Sequence, residues 1–349
     1  MRVIVVGAGI MGCATALELE ARGAEVTLLE RAVPGAEASS AAAGILGAQA
    51  EAHEPGPHFV RMLRARDGYV ASAARLTGAT ADDIGYRKSG VLKLAFDERE
   101  DEALRAIVTW QASGGAKGVM LSGDALHDIE PAVSPHAVSA AYFEDDAQVE
   151  PVRLLSALVR RIQGNSIVVR TGAIVTGFHM SGATCTGVVL DGKETLTADA
   201  VVLAAGSWSS VVPGAPHDAQ QVKPIRGQMI ELRETPSSLG TILFGQGTYV
   251  VPRGDGRVVC GSTMEDVGFT KEVTTAGLRH VLSGAMHNAP GLGTASFVRT
   301  WSNFRPHAPG GPLVGKSETP GLFLATGHFR NGILLAFDTA ETVARAVYE

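Results

Sequence analysis

Cysteine is scarce in this chain. The three cysteines among 349 residues, Cys13, Cys185 and Cys260, lie in apolar stretches, and none forms a CxxC pair. Three isolated thiols do not build a disulfide framework, so we expect them to be buried and unreactive in a reducing compartment. Long hydrophobic runs are also missing, because no stretch reaches the roughly 18 apolar residues of a membrane-spanning helix. The apolar start RVIVV leads straight into glycines, without the cleavage site of a signal peptide. We therefore expect a cytoplasmic protein with no membrane contact.

An excess of basic charge is lacking as well. Lys and Arg total 30 against 36 Asp and Glu, the formal net charge is −6, and there is no basic run. This argues against nucleic acid as a partner. No cluster of His, Cys, Asp and Glu has the spacing of a metal site, and no metal is expected. Glycine, in contrast, is abundant at 42 residues, and tight turns and close approach of the backbone to a ligand both need it.

The first residues carry the most specific pattern. Gly7, Gly9 and Gly12 form G-x-G-x-x-G between a predicted strand, Arg2–Val6, and a predicted helix, Cys13–Arg22. The glycines allow a tight turn, close approach of a pyrophosphate and close packing of helix on strand. The N-terminus of the helix adds free N–H groups and a partial positive charge. The pattern predicts a dinucleotide site in a right-handed βαβ unit.

An acidic residue stands where such a site needs one. The next predicted strand, Glu25–Leu29, ends on Glu30, whose carboxylate can accept hydrogen bonds from a ribose. The plainer alternative is a glycine-rich turn with a solvated Glu30. The motif alone leaves FAD and NAD open. A flavoprotein that also uses a pyridine nucleotide usually needs a second full fingerprint, and only partial echoes follow, VVLAAGSWS (201–209) and LFLATGHFRNG (322–332).

The alternation along the chain predicts an α/β fold. A Rossmann-like FAD-binding domain with a parallel sheet is expected from residues 1–83, 141–221 and 304–349. A substrate domain with a mainly antiparallel sheet is expected from residues 84–140 and 222–303. The helices predicted with the clearest bounds are 57–78, Glu98–Ser113 and Pro151–Gln163, and a final helix is expected to open at Asn331–Gly332.

Several longer motifs resemble the D-amino-acid oxidase superfamily and, within it, the bacterial glycine oxidases of thiamin biosynthesis. The motifs are ASSAAAGILGAQAE (38–51), DDAQVEP (145–151), AAGSWS (204–209), KPIRGQ (223–228), YVVPR (249–253), GSTM (261–264), FRPHAPGGPLVG (304–315) and GHFRNGIL (327–334). They run in order along nearly the whole chain. The stretch FRPHAPGGPLVG lacks the cysteine to which sarcosine oxidases attach their flavin, so the resemblance implies noncovalent FAD.

The resemblance also implies which residues contact FAD. Besides Gly7, Gly9 and Gly12, they are Ile10, Met11, Glu30, Arg31, Ala38, Ser39, Ala43, Gly44, Ile45, Ala173, His328, Phe329, Arg330, Asn331, Gly332, Ile333 and Leu334. His328 could be proposed as a general base, but it matches a backbone contact of the family. The N-terminus of a helix opening at Asn331–Gly332 would stabilise a negative charge on reduced flavin.

A substrate carboxylate calls for a cation, and arginine binds it in a bidentate manner. By the resemblance, Arg330 is the first candidate and Arg305 the second, with Tyr249 adding a hydrogen bond. Alternatively, Arg305 forms a surface or interdomain salt bridge and Tyr249 is a packed strand aromatic. Met264 is placed in the substrate pocket, although a core methionine is an equal alternative.

The resemblance implies FAD-dependent oxidative deamination of glycine and other small primary or secondary amines. Hydride would pass to flavin N5 and electrons to O₂, giving imine and glyoxylate, ammonia and H₂O₂, in the formation of the thiamin thiazole. An oxidase or dehydrogenase of D-amino or N-methyl amino acids with another acceptor stays open. So does a non-catalytic flavin scaffold or sensor. The family implies a homo-oligomer, often a tetramer.

One departure from the family pattern is Gly247, where relatives carry a larger polar residue. We therefore expect a wider entrance to the substrate site.

Overall fold

Two large sheets organise the chain, which the computed structural model describes from residue 1 to residue 349. The first is a six-stranded sheet with the order Leu313–Lys316, Leu322–Thr326, Ala200–Leu203, Arg2–Val6, Glu25–Glu30 and Val168–Thr171. Only the first two strands pair antiparallel, and the other pairs are parallel. The carboxyl ends of five strands therefore meet at one edge, where open α/β sheets bind nucleotides.

Alternating side chains of these strands build two cores, one on each face. Val3 and Val5 pack with the helices Ile10–Ala21, Pro151–Gln163 and Ala336–Tyr348. On the other face, Ile4 and Val6 pack with a small antiparallel sheet. That sheet consists of Val175–Ser181, Thr184–Leu190 and Glu194–Thr197.

The second large sheet has nine strands. Its order is Glu265–Asp266, Lys223–Arg233, Arg257–Gly261, Thr248–Pro252, Ile242–Gly245, Val91–Ala95, Ser139–Phe143 and Val119–Leu121, and Ser296–His307 pairs with Lys223–Arg233. All neighbours are antiparallel except Val91–Ala95 with Ile242–Gly245. Helix Thr275–Asn288 packs on one face through Val281 and Ala285. The predicted α/β fold with a parallel and a mainly antiparallel sheet is confirmed.

Short elements complete the chain. The remaining helices are Ala38–Ala41, Pro57–Asp67, Tyr69–Thr77, Glu98–Ser113, Asp124–Ile129 and His217–Gln220, with 3₁₀ turns at Gly206–Val211, Pro290–Thr294 and Phe329–Asn331. The strands Ile45–Leu46 and Ala147–Gln148 pair antiparallel. No helix combines the length and the apolar character needed to cross a membrane.

The helix bounds agree with the sequence in two places and differ in three. The helix predicted over Cys13–Arg22 runs over Ile10–Ala21 and so begins directly after Gly9. Glu98–Ser113 and Pro151–Gln163 match the prediction. The single helix over 57–78 is wrong, because the chain breaks at Gly68, which ends one helix and begins the next. The final helix begins only at Ala336, after the 3₁₀ turn. Gly332 has helical φ and ψ. Before it, however, the positive φ of Phe329, +50°, interrupts the helical backbone conformation.

The expected division into two domains remains a proposal. The strands of the six-stranded sheet fall in residues 1–83, 141–221 and 304–349. Two strands of the nine-stranded sheet, Ser139–Phe143 and Ser296–His307, run through the expected boundaries at 141 and 304. We propose that the boundaries lie at the ends of these strands, since a strand is a poor place for a hinge.

Candidate active site

One cavity is lined by residues of both large sheets. The glycine turn after Arg2–Val6 forms part of its wall, and strands Lys223–Arg233 and Thr248–Pro252 form another part. It thus connects the predicted nucleotide edge with the predicted substrate residues. The three cysteines are buried and free, as expected, and no group of His, Cys, Asp and Glu that could hold a metal is found among residues 1–349.

The glycine turn is shaped by close backbone contacts. Gly7 has φ +100°, and a Cβ on it would lie 2.6 Å from the carbonyl oxygen of Ala204. A Cβ on Gly12 would lie 1.8 Å from the carbonyl oxygen of Gly7. Gly9 caps helix Ile10–Ala21 without a side-chain hydrogen bond. Gly7 and Gly9 line the cavity and Gly12 packs behind them, so the turn presents backbone N–H groups to an anion.

Glu30 lies at the cavity wall with its carboxylate fixed by the backbone. One oxygen accepts from the Ala8 N–H and the other from the Ala32 N–H, both at 2.9 Å. A carboxylate has about four acceptor positions, so two remain for ribose hydroxyls. Glu30 thus has the partners and the location that a dinucleotide site requires.

Arg31 belongs to an aromatic and ionic cluster beside Glu30. Its guanidinium lies 4.0 Å from the centroid of the Trp208 ring and 3.0 Å from Glu37. The Glu37 carboxylate also binds Lys271 Nζ at 2.7 Å. The ring of Phe269 packs against that of Trp208, with 5.4 Å between the ring centroids. Arg31, Glu37 and Trp208 line the cavity. Arg31 is among the predicted FAD contacts, whereas Glu37 and Trp208 are not, although Trp208 stands in the motif at 204–209.

The segment at residues 38–45, called loop 38–45 below, contains the short helix Ala38–Ala41 and lines the cavity. Ala38, Ser39, Ala43, Gly44 and Ile45 all line it, as does Ala173 elsewhere in the chain. The Ser39 hydroxyl accepts from the Ile10 N–H at 2.9 Å and so joins the loop to the glycine turn. Gly44 has φ +78°, and a Cβ there would lie 2.1 Å from the Val149 carbonyl oxygen.

Arg253 holds this loop from the nine-stranded sheet. Its guanidinium donates to the carbonyl oxygen of Ala43 at 2.6 Å, to that of Val149 at 3.1 Å, and to Gln148 Oε1 at 2.8 Å. It is buried without a carboxylate in contact, and burial lowers its pKa to about 10. Arg253 belongs to the motif YVVPR, but the sequence alone indicates no role for it.

His328 supplies a buried polar atom without a partner in the protein. Its Nε2 lies 2.8 Å from the Thr339 hydroxyl, and its Nδ1 has no hydrogen-bond partner. Burial lowers its pKa to about 3, so the ring is neutral near pH 7. An unpaired buried nitrogen is costly, and the residue that carries it lines the cavity. The glycine turn and the free acceptor positions of Glu30 fit FAD.

The segment after His328 only partly lines the cavity. Phe329, Arg330, Gly332 and Ile333 do, as do Ile10 and Met11 near the glycine turn. Asn331 and Leu334 do not line it, and Leu334 is in the core. Because the regular helix begins at Ala336, its dipole acts from further away than the sequence implied.

The two candidate arginines differ in their electrostatic partners. Arg330 is bound in a bidentate manner by Glu51, with Nε and Nη2 each 2.6 Å from a carboxylate oxygen. Burial disfavours the charged form of both groups, but the attraction between the two opposite charges is larger than this effect. The pKa of Arg330 is therefore raised and that of Glu51 is lowered. Arg305 has no carboxylate partner and donates to the Ser262 hydroxyl and, at 3.2 Å, to the Thr263 carbonyl oxygen.

Gly227 gives the Arg305 guanidinium its place. A Cβ on Gly227 would lie 2.3 Å from Nη1 and 2.4 Å from Nη2 of Arg305. The guanidinium therefore lies against the bare Cα of a strand residue, and both residues line the cavity. Nearby, the buried Tyr249 hydroxyl donates to Met229 Sδ at 3.1 Å. A thioether is a weak acceptor, so this hydroxyl can turn to a better one.

Two expectations at this end do not match the structure. Met264 does not line the cavity and is 60% exposed, in the connection between strands Arg257–Gly261 and Glu265–Asp266. Gly247 does not line it either. Gln246 and Gly247 have φ of +50° and +70° in a two-residue hairpin turn, a conformation that favours glycine. The turn geometry, and not a wider entrance, accounts for this glycine.

Comparisons with known proteins support the dinucleotide site described above. The model of the DAO family, described as FAD dependent oxidoreductase, matches residues 2–346. A glycine oxidase of Geobacillus kaustophilus is 34% identical over 99% of this chain and 92% of its own length. A crystal structure of glycine oxidase from Geobacillus kaustophilus superposes with a TM-score of 0.92 at 32% identity, over 99% of this chain and 95% of that one. An iminodiacetate oxidase of Chelativorans sp. has a TM-score of 0.88 at 25% identity, with 99% and 95% covered.

A fused relative is also similar. The bifunctional protein ThiO/ThiG of Nostoc sp. is 33% identical over 99% of this chain, which spans about half, 52%, of that relative's length. The match therefore concerns one part of the larger protein. Together, the fingerprint turn, the cavity and the matches over nearly the full length show that this chain belongs to the DAO family of FAD-dependent oxidoreductases, alongside the glycine oxidases.

Proposed function

We propose that this enzyme oxidises glycine and other small primary or secondary amines with O₂ as the electron acceptor. The observation that carries the proposal is Arg305, a cation in the cavity wall without a carboxylate partner. A small α-amino acid brings the missing carboxylate. Tyr249 would donate a second hydrogen bond to it in place of the weak one to Met229. Arg305 therefore replaces Arg330 as our first candidate for carboxylate binding.

The residues that would hold FAD follow from the cavity. The glycine turn would bind the pyrophosphate, Glu30 the ribose, and loop 38–45 with His328, Phe329 and Ile333 the remaining surface. When bound between these residues, FAD would supply the two-electron acceptor for the hydride from Cα. The absence of a cysteine between residues 304 and 315 supports noncovalent binding.

The protein side needs little acid–base chemistry. Glu51 is ion-paired and its lowered pKa makes it a poor base, and His328, with a pKa of about 3, is a weak one. Positioning by Arg305 and Tyr249 would place Cα for transfer. The overall reaction balances as glycine + O₂ + H₂O giving glyoxylate, ammonia and H₂O₂. Water hydrolyses the imine that forms first.

The proposal includes the pathway and the compartment in which the enzyme acts. The similarity to ThiO/ThiG supports a role in supplying an imine for the thiamin thiazole. Three free, buried cysteines support a reducing compartment such as the cytoplasm. The homo-oligomer implied by the family resemblance stays an expectation.

Peroxide release tests the substrate and the acceptor together. Purified holoenzyme should release H₂O₂ with glycine, sarcosine or a small D-amino acid, and the rate with an artificial acceptor should not greatly exceed the rate with O₂. Arg330→Ala and Arg305→Met should both lower the rate, the second more strongly. A normal flavin spectrum with no reduction by any of these amines would contradict the proposal and favour a non-catalytic flavoprotein.

A further inference from the structure

The cavity wall contains a carboxylate that the proposed reaction does not use. Glu51 lines the cavity beside Arg330, and its side chain is only 11% exposed. Both of its oxygens bind the guanidinium at 2.6 Å. Lys93 lies behind it, outside the lining, and donates to the Ala50 carbonyl oxygen at 3.2 Å. Toward the cavity, Arg330 and Glu51 form a neutral pair, while Arg305 stays a cation.

Glu51 is held in place from the turn that precedes it. The Asp146 carboxylate accepts from the Gln49 N–H at 3.1 Å and from the Ala50 N–H at 2.8 Å. Arg66 binds the same carboxylate at 3.0 Å, and Asp146 is fully buried. The backbone on which Glu51 stands is thus fixed to the protein interior, and moving its carboxylate away from Arg330 would break a partly buried, bidentate ion pair.

This arrangement has a consequence for substrates with two acidic groups. Their first carboxylate would bind Arg305, and the second would meet Arg330 already occupied, with the negative charge of Glu51 beside it. Like charges brought together in a partly buried site repel strongly. A substrate with one carboxylate meets no such repulsion.

We propose that Glu51 is a specificity-determining residue that neutralises Arg330 and so restricts the site to amines with a single carboxylate. The inference rests on the proposed function, because it concerns the same substrate site. It assigns Glu51 the exclusion of amino dicarboxylates, in which a carboxymethyl group on the amine or on Cα carries the second charge.

The test compares substrates that differ in charge. Iminodiacetate is glycine with a carboxymethyl group on nitrogen, and N-ethylglycine carries an uncharged group of similar size. In Glu51→Gln, the ratio of kcat/KM for iminodiacetate to that for N-ethylglycine should rise at least about tenfold, the size of one charge-assisted hydrogen bond. In the double variant that combines Glu51→Gln and Arg330→Gln, this kcat/KM ratio should fall back toward the wild-type value.

A matched control and a binding measurement separate the possible failures. Glu54→Gln, an exposed glutamate three positions along, should leave the ratio at the wild-type value. The Kd of malonate relative to acetate, read from flavin absorbance without turnover, should fall in Glu51→Gln by a similar factor. If Glu51→Gln loses FAD, Glu51→Asp takes its place in the test. In Glu51→Asp, the kcat/KM ratio should rise and the Kd ratio should fall, each by a smaller factor.

Two results would have different meanings. Unchanged ratios in a Glu51 variant that retains FAD would overturn the role of Glu51, while oxidation of glycine would leave the proposed function standing. Absence of oxidation of every amine in the wild type would contradict the proposed function, and the malonate and acetate binding would still decide the role of Glu51.

Discussion

Replacing Gly227 by alanine displaces the Arg305 guanidinium without touching its charge. The added Cβ would lie 2.3 Å from Nη1 and 2.5 Å from Cζ of Arg305. An ordinary contact needs about 3.5 Å or more, so the guanidinium must move by about 1 Å. Because the clash involves the far end of a flexible side chain, we expect a stability loss of no more than about 1 kcal/mol. A misplacement of about 1 Å can cost up to about 100-fold in rate.

The expected result is specific to the substrate carboxylate. Gly227→Ala should raise the KM for glycine by about 10- to 100-fold while its flavin content and melting temperature stay near the wild-type values. Gly177→Ala is the matched control, because Gly177 also lies in a strand, and its Cβ would meet nothing within 4 Å. Steady-state peroxide release measures both. An unchanged KM in Gly227→Ala, with FAD retained, would show that Arg305 does not position the substrate.

Three further outcomes are expected. Arg253→Met should raise the Kd for FAD at least about tenfold by freeing the Ala43 carbonyl, measured by titrating the apoprotein; an unchanged Kd would refute this. Tyr249→Phe should raise the KM for glycine about tenfold and leave kcat nearly unchanged, and a loss in kcat alone would contradict the assignment. His328 has a folded pKa of about 3 against 6.5 unfolded, so its contribution to stability is present above pH 6.5 and is lost as the pH falls toward 3. The loss is at most about 1.4 kcal/mol per pH unit, and unfolding curves of His328→Asn should show a flatter acid limb.

Local patterns predicted the parts of the fold that local physics controls. The glycine turn and Glu30 lie within thirty residues, and their geometry follows from backbone sterics and two N–H bonds. Helix Glu98–Ser113 begins after Asp97, which caps it by accepting from the Glu100 N–H. The final helix was placed too early because the sequence carries no sign that Phe329 takes a positive φ.

The substrate end depends on contacts between distant residues, which no local pattern contains. Glu51 and Arg330 are 279 positions apart, and Ala43 and Arg253 are 210 apart. Without the first pair, Arg330 looks like the better carboxylate ligand, although the structure places a carboxylate on it already. The role of Gly227 follows only from the strand register, which pairs it with Asn303 and makes Arg305 its diagonal neighbour on the next strand. The resemblance points to both arginines as carboxylate ligands, and the ion pair of Arg330 with Glu51 makes Arg305 the stronger candidate.

We propose above that Arg305 binds the carboxylate of a small amino acid for oxidation in this cavity. Anaerobic mixing of the holoenzyme with glycine, followed at the flavin absorbance band, tests it most directly. We predict bleaching of the flavin in the wild type and at least about a 100-fold slower reaction in Arg305→Met with FAD still bound. Bleaching at the wild-type rate in Arg305→Met, or no bleaching of the wild type by glycine, sarcosine or D-alanine, would contradict it.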